Sequence, residues 1–244
     1  IQIGDARTVP ALTESLEKST PEMCLRILEL LGEIGDARAV PTLIERLQDS
    51  SSEIRCCSAE ALGKIGDSSV VPALMDALHC HNGTVRSKSA EALGKIKDTR
   101  VVPALAEAFG DVYFMVRQSV VEALLKRADV RAIPVLTQAL RDPYYTVRYS
   151  AAEALGIIND SSALPALIVA LRDGNEIVRE RVVRTLGEIG DIRAIPSLIE
   201  MLQDSDESTR ERERQRHYAT SKPRKSALFS FCFWTHTGIC PYTM

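Results

Sequence analysis

Apolar residues recur along this chain in two alternating helical signatures. Val40, Leu43, Ile44 and Leu47 follow the i, i+3, i+4, i+7 spacing of one helical face, and Ile54, Ser58, Ala61, Leu62 and Ile65 trace a second face after a short polar break. The pair then repeats. Leu31, Leu62, Leu93, Leu124, Leu155 and Leu186 stand 31 residues apart, as do Pro10, Pro41, Pro72, Pro103, Pro134, Pro165 and Pro196. No strand-like alternation precedes residue 210. A fixed period of this size predicts stacked two-helix units that bury their apolar faces against one another. The expected fold is an all-α solenoid over residues 1–209, with six helix pairs and a seventh first helix.

The polar punctuation fits that frame. Asp36 is placed to cap the first helix of its repeat, and Pro41 sits early enough in that helix to lose little hydrogen bonding. Gly66 follows Ile65 where a left-handed residue closes the second helix. One repeat departs from this: Leu124-Leu125-Lys126-Arg127-Ala128-Asp129 replaces Leu-Gly-x-Ile-Gly-Asp. Ala128 therefore takes a turn position that favours glycine, and Arg127 a normally buried one, from which it is expected to reach solvent or to mark a kink.

Leu62-Gly63-Lys64-Ile65-Gly66-Asp67, Val71-Pro72-Ala73-Leu74, Val85-Arg86 and Ala90-Glu91-Ala92-Leu93-Gly94, repeated along roughly residues 1–210, resemble the HEAT-like repeat of the phycobilisome-lyase type. The resemblance implies a right-handed superhelix of antiparallel helix pairs with the second helices on the concave side. It also implies a structural ladder between repeats, formed by Arg55, Arg86, Arg117, Arg148 and Arg179 with Asp36, Asp67, Asp98, Asp129, Asp160 and Asp191. Helical geometry agrees for the arginines, since Arg55 falls beside Leu62 at the edge of the apolar stripe. Two enzymatic precedents come with the resemblance. A di-iron hydroxylase holds its irons with His-Glu pairs just after the arginine. The matching pairs here are Cys56-Cys57, Ser87-Lys88, Gln118-Ser119, Tyr149-Ser150 and Glu180-Arg181, so that reading is disfavoured. A bilin lyase subunit, which acts on phycobiliproteins, remains the alternative.

Composition narrows the class further. The chain is 45% apolar but only 5% aromatic, as closely packed small-residue helices require. No run of about 20 apolar residues is present to span a bilayer. Ile1 opens the chain in mid-repeat, as expected of a fragment or processed end. The six cysteines form no disulfide framework, which points to free thiols in a reducing, cytoplasmic compartment. His79-Cys80-His81, with Cys56 and Cys57 one repeat earlier, offers zinc-type ligands at no standard zinc spacing, so no metal or cofactor is expected. Gly32, Gly63 and Gly94 belong to helix ends and not to a phosphate-binding loop.

After Arg210 the repeat stops. Residues 210–225 hold seven Lys/Arg against two Glu and residues 226–244 hold no charge, which leaves a net −8 on the first 209 residues of a chain at −3. The 210–244 tail, basic and then apolar, reads as disordered or non-native. An acidic solenoid argues against nucleic acid as the main partner, the basic tail excepted. The expected partner is another protein, bound along the second helices. Glu29, Glu60, Glu91, Glu122 and Glu153 form a row there, partly explained by i, i+4 support from Lys64, Lys95 and Lys126. Glu180, Arg181 and Arg184 change that lining in the last complete repeat. Tyr113 and Phe114 align with Tyr144 and Tyr145 one repeat later, and Tyr149 adds a further ring. These are the candidate partner-binding residues, since aromatic and Arg anchors dominate interface energies. The competing reading is that the rings pack on the neighbouring turn. The expected function is a non-catalytic protein-binding scaffold or adaptor.

Overall fold

The computed structural model describes residues 6–203, and among these every regular element is helical. Thirteen α-helices appear, as six pairs and a seventh first helix. Contacts divide the chain into two compact units, residues 1–132 and 133–244. The first unit contains α1 (Val9–Ser15), α2 (Pro21–Ile34), α3 (Val40–Arg46), α4 (Ser52–Ile65), α5 (Val71–Ala77), α6 (Gly83–Lys95), α7 (Val101–Ala108) and α8 (Phe114–Arg127). The second contains α9 (Ile133–Ala139), α10 (Tyr145–Ile158), α11 (Leu164–Ala170), α12 (Glu176–Ile189) and α13 (Ile195–Gln203). The expected change of character at residue 210 lies outside the described residues, as does any seventh second helix.

Each unit is a stretch of α-solenoid. In the first, α3, α5 and α7 lie against α4, α6 and α8, while α2, α4, α6 and α8 pack side by side; in the second, α10 packs on α12. The recurring leucines fill these seams: Leu28, Leu31, Leu43, Leu62, Leu74, Leu93, Leu105 and Leu124 are fully buried in the first unit, and Leu136, Leu155 and Leu167 in the second. Each such side chain contributes about 1.5–3 kcal/mol by leaving water. The second helices approach closely because glycine meets alanine. A Cβ on Gly63 would stand 2.7 Å from the Ala92 Cα, and one on Gly94 would stand 2.7 Å from the Ala123 Cβ. That spacing excludes large side chains from the seam and accounts for the low aromatic content.

The repeating aspartates are caps. Asp36, Asp67, Asp98, Asp129, Asp160 and Asp191 each accept the backbone N–H two residues on, at 2.8–3.0 Å, opening the turn that leads into a first helix. Pro41, Pro72 and Pro165 then occupy the first turn of α3, α5 and α11, where no donor is lost. Arg38, Arg100, Arg131 and Arg193 clamp their own cap aspartates. Arg100 also donates to the Ser68 carbonyl and Arg131 to the Thr99 carbonyl of the preceding repeat.

The arginine ladder uses a different acidic row from the expected one. Arg86 grips Asp111 through Nε and Nη2, at 2.5 and 2.9 Å, and Arg148 grips Asp173 likewise, at 2.6 and 2.8 Å. These carboxylates stand in the turn before the next second helix, where Asp111 and Asp173 also accept the N–H of Tyr113 and Asn175. The remaining donor of each arginine holds the loop before its own helix. Nη1 of Arg55, Arg86, Arg117, Arg148 and Arg179 donates to the carbonyls of Asp49, Cys80, Asp111, Asp142 and Asp173.

Arg127 does not reach into solvent as expected. The preceding repeat has Lys97 where a glycine would cap α6, so α6 ends with Ile96 already extended. Arg127 donates instead to the backbone carbonyls of Ile96 and Asp98. Its neighbour Ala128 is left-handed, φ 49°, at the place where Gly35, Gly66 and Gly190 close other second helices.

Two outcomes follow from these caps and rungs. Ala128→Gly relieves a left-handed Cβ and should raise stability by about 1 kcal/mol, read as a higher Tm. Asp36, Asp98, Asp129 and Asp191 are held at a pKa of about 2, chiefly by hydrogen bonds from Arg38, Arg100, Arg131 and Arg193. Burial pushes the Asp111 carboxyl up, but the Arg86 and Tyr113 hydrogen bonds outweigh it and leave the pKa lowered. A depressed folded pKa stabilises fully above the unfolded value, about 3.9, and is lost as pH falls through the folded one. Acid titration followed by circular dichroism should show stability level above about pH 5 and declining between about pH 4 and pH 2. In Asp111→Asn that decline should be shallower.

Candidate partner-binding surface

The nominated aromatic residues divide between the two units. In the first unit, Asp111 fixes the turn that carries them: it accepts from Arg86 and from the Tyr113 N–H, while Arg117 Nη1 donates to the carbonyls of Asp111 and Val112 at 2.9 and 3.2 Å. The backbone is thus held from both sides while the side chains beyond it face water. Val112, Tyr113, Phe114 and Met115 are 84%, 59%, 37% and 57% exposed. Tyr113 is anchored in part, its ring 5.4 Å from the Arg86 guanidinium and against Gly83, where a Cβ would meet the ring at 3.4 Å. So one of the rings does pack on the preceding repeat, but with more than half its surface left open.

The second unit repeats the construction. Asp142 accepts the Tyr144 N–H at 2.9 Å, and Arg148 donates to the carbonyls of Asp142 and Pro143 at 2.8 and 3.1 Å. Tyr144 and Tyr145 are exposed, and Tyr149 is half-buried one turn into α10.

The charged part of the nominated lining behaves differently. Glu180 and Arg181, expected on an open face, are buried. Their positions flank the seam between second helices; at the equivalent seam of the first unit, Ser87 and Ser119 share a buried 2.7 Å hydrogen bond. Arg181 lies 3.7 Å from both Glu153 and Glu188, and Thr185 donates to the Ala152 carbonyl across the same seam. Arg184 is exposed. In the first unit Lys88 joins Glu60 of α4, at 2.7 Å, to Glu91 of α6, at 3.1 Å, so much of the glutamate row there is neutralised in place. Beside it lies an open groove of about 390 Å³ lined by Leu25, Ser52, Glu53, Cys56, Cys57 and Thr84; helical spacing points Glu53, Cys56 and Cys57 away from the apolar stripe but does not mark the groove itself.

Among the described residues, no three His, Cys, Asp or Glu side chains converge as a metal site, and His79-Cys80-His81 stays on the loop between α5 and α6. No described helix is long and apolar enough to cross a membrane.

Comparison with known proteins places this architecture. No curated protein matches the chain. Among solved structures, a chain of the complex of CpcE and CpcF of phycocyanin lyase from Nostoc sp. PCC7120 is 24% identical, with a TM-score of 0.56 over 83% of this chain and 91% of that one. An engineered protein is 22% identical, with a TM-score of 0.57 over 74% and 96%. A designed armadillo repeat protein in complex with the peptide (KR)4 is 17% identical, with a TM-score of 0.57 over 74% and 99%. At these identities the likeness is one of fold. The family model for HEAT repeats matches residues 9–93, 46–126, 71–156 and 133–215, and this chain belongs to the HEAT-repeat family.

Proposed function

We propose that this chain is a protein-binding scaffold that captures its partner on the aromatic turns preceding its second helices. The observation that carries this reading is the run Val112–Met115. Four consecutive large apolar side chains face water on a backbone pinned by Arg86, Arg117 and Asp111. A pre-organised turn loses little conformational entropy when a partner covers it, so apolar burial there turns into affinity. Isolated exposed apolar residues are ordinary on protein surfaces; a contiguous, anchored run is not. The exposed Tyr144 and Tyr145, on a turn built the same way, offer the second unit a contact of the same kind. Solenoids of this fold hold other chains, as the CpcE–CpcF complex and the armadillo complex with (KR)4 illustrate.

The bilin-lyase alternative rests on likeness of fold to the lyase complex, and no residue set here supports it independently. Val112→Ser with Met115→Ser, and separately Tyr144→Ala with Tyr145→Ala, should each weaken binding of a partner captured by the intact chain by tenfold or more, with helicity and Tm unchanged. That loss corresponds to about 1.4 kcal/mol or more, in the range of interface anchors. Equal affinity in both double variants refutes the reading. A new visible absorbance band after incubation with a free bilin would support the alternative instead.

A further inference from the structure

The ladder has a missing rung. Arg86 and Arg148 each place Nε and Nη2 on the carboxylate found 25 residues later, Asp111 or Asp173. Arg55 stands one repeat before Arg86, and the residue 25 positions after it is Cys80. Arg55 is 8% exposed, and its Nη1 holds the Asp49 and Ser50 carbonyls as its counterparts hold theirs. Its Nε is buried and has no hydrogen-bond partner. The orphaned atom is the one that bonds the carboxylate in the complete rungs. A buried, unsatisfied guanidinium donor is costly and selects for an anionic acceptor at the place that faces it.

In the repeat register Cys80 stands where Asp111 and Asp173 stand, and two features suit it to modification. It is half-buried on the loop between α5 and α6 and so open to a small reagent. Its Sγ lies 3.9 Å from the His81 Nδ1, a nearby acceptor for the thiol proton. The other described cysteines are less favoured as nucleophiles, because burial is the chief cause that pushes the thiols of Cys24, Cys56 and Cys57 up.

We propose that Cys80 is a redox modification site, oxidised by a hydroperoxide to a sulfinate whose two oxygens close the missing rung against Arg55. In the first step the Cys80 sulfur attacks the hydroperoxide; an S–O bond forms and the O–O bond breaks. The sulfur loses two electrons to the peroxide, which departs as the alcohol, or as water from hydrogen peroxide, carrying the thiol proton. A second equivalent of hydroperoxide adds the second oxygen in the same way. The sulfinic acid then releases its proton, leaving two oxygens on a pyramidal sulfur that share one negative charge. That pair matches the fork presented by Nε and Nη2, as Asp111 matches Arg86. The thiol itself cannot do this, because its single sulfur is a weak acceptor and cannot fill both arms of the fork.

The test uses the full chain, hydrogen peroxide as oxidant and Cys80→Asp as a genetic form of the completed rung. Cys80→Asp should raise Tm by about 2–4 °C. Graded peroxide, followed by peptide mapping, should place two added oxygens on Cys80 before Cys24, Cys56 or Cys57 is modified, with a matching rise in Tm. In Cys80→Ser, peroxide should leave Tm unchanged. In Arg55→Met, neither oxidation nor Cys80→Asp should raise Tm, which ties the effect to that guanidinium. If Arg55→Met does not fold, Cys80→Asn serves instead and should give less than half the rise seen with aspartate, because it lacks the charge. The proposal is overturned if Cys80→Asp leaves Tm unchanged or lower, if peroxide modifies Cys24, Cys56 or Cys57 first, or if the sulfinate forms without a rise in Tm.

Discussion

Arg86 carries three loads at once, and most of the architecture around it depends on them. Its Nη1 holds the loop before its own helix, its Nε and Nη2 hold the turn of the next repeat, and its guanidinium lies over the Tyr113 ring. A helix pair of this size cannot bury its own apolar surface, so it needs a neighbour at a fixed distance and in a fixed register. The leucine seams supply the attraction but are non-directional. The Arg86–Asp111 and Arg148–Asp173 rungs supply direction, because a guanidinium fork accepts a carboxylate in one orientation.

The same geometry connects fold to function. Asp111 accepts both from the arginine behind it and from the Tyr113 N–H ahead of it, so the bond that registers two repeats also shapes the turn between α7 and α8. Whatever side chains follow that aspartate are delivered to solvent on a rigid base. The array can therefore vary the residues after each rung without altering the rung. Val112–Met115, after the Arg86–Asp111 rung, is one such variation.

Much of this was legible in the sequence, and what was not has identifiable physical reasons. The period, the helix pairs, the proline positions and the left-handed closures at Gly66 and Ala128 follow from local pattern, and the structure has them all. The resemblance to HEAT-type repeats assigns the ladder to the aspartate row at 36, 67, 98, 129, 160 and 191, a row that never lapses. It never lapses because every first helix needs the cap it provides. The true acidic row is interrupted at Cys80, and spacing alone does not say which carboxylate lies across a seam. Arg127 found backbone acceptors rather than water because Lys97 had removed the usual cap of the helix before it. Glu180 and Arg181 look polar and outward on a helical wheel, yet both are buried, Arg181 beside Glu153 of α10.

The 25-residue reach of each rung, set against a 31-residue repeat, bears on how such a chain lengthens or shortens over time. Every rung takes its base from one repeat and its acid from the next, so no repeat owns a whole one. A duplication or deletion of one full period keeps each arginine 25 residues from the rung position of the next repeat, which is an aspartate at 111, 142, 173 and 204 and a cysteine at 80. A cut of any other length strands a buried guanidinium. The ladder thus works as a reading frame for repeat number: it lets the array change length in whole steps and selects against every other size.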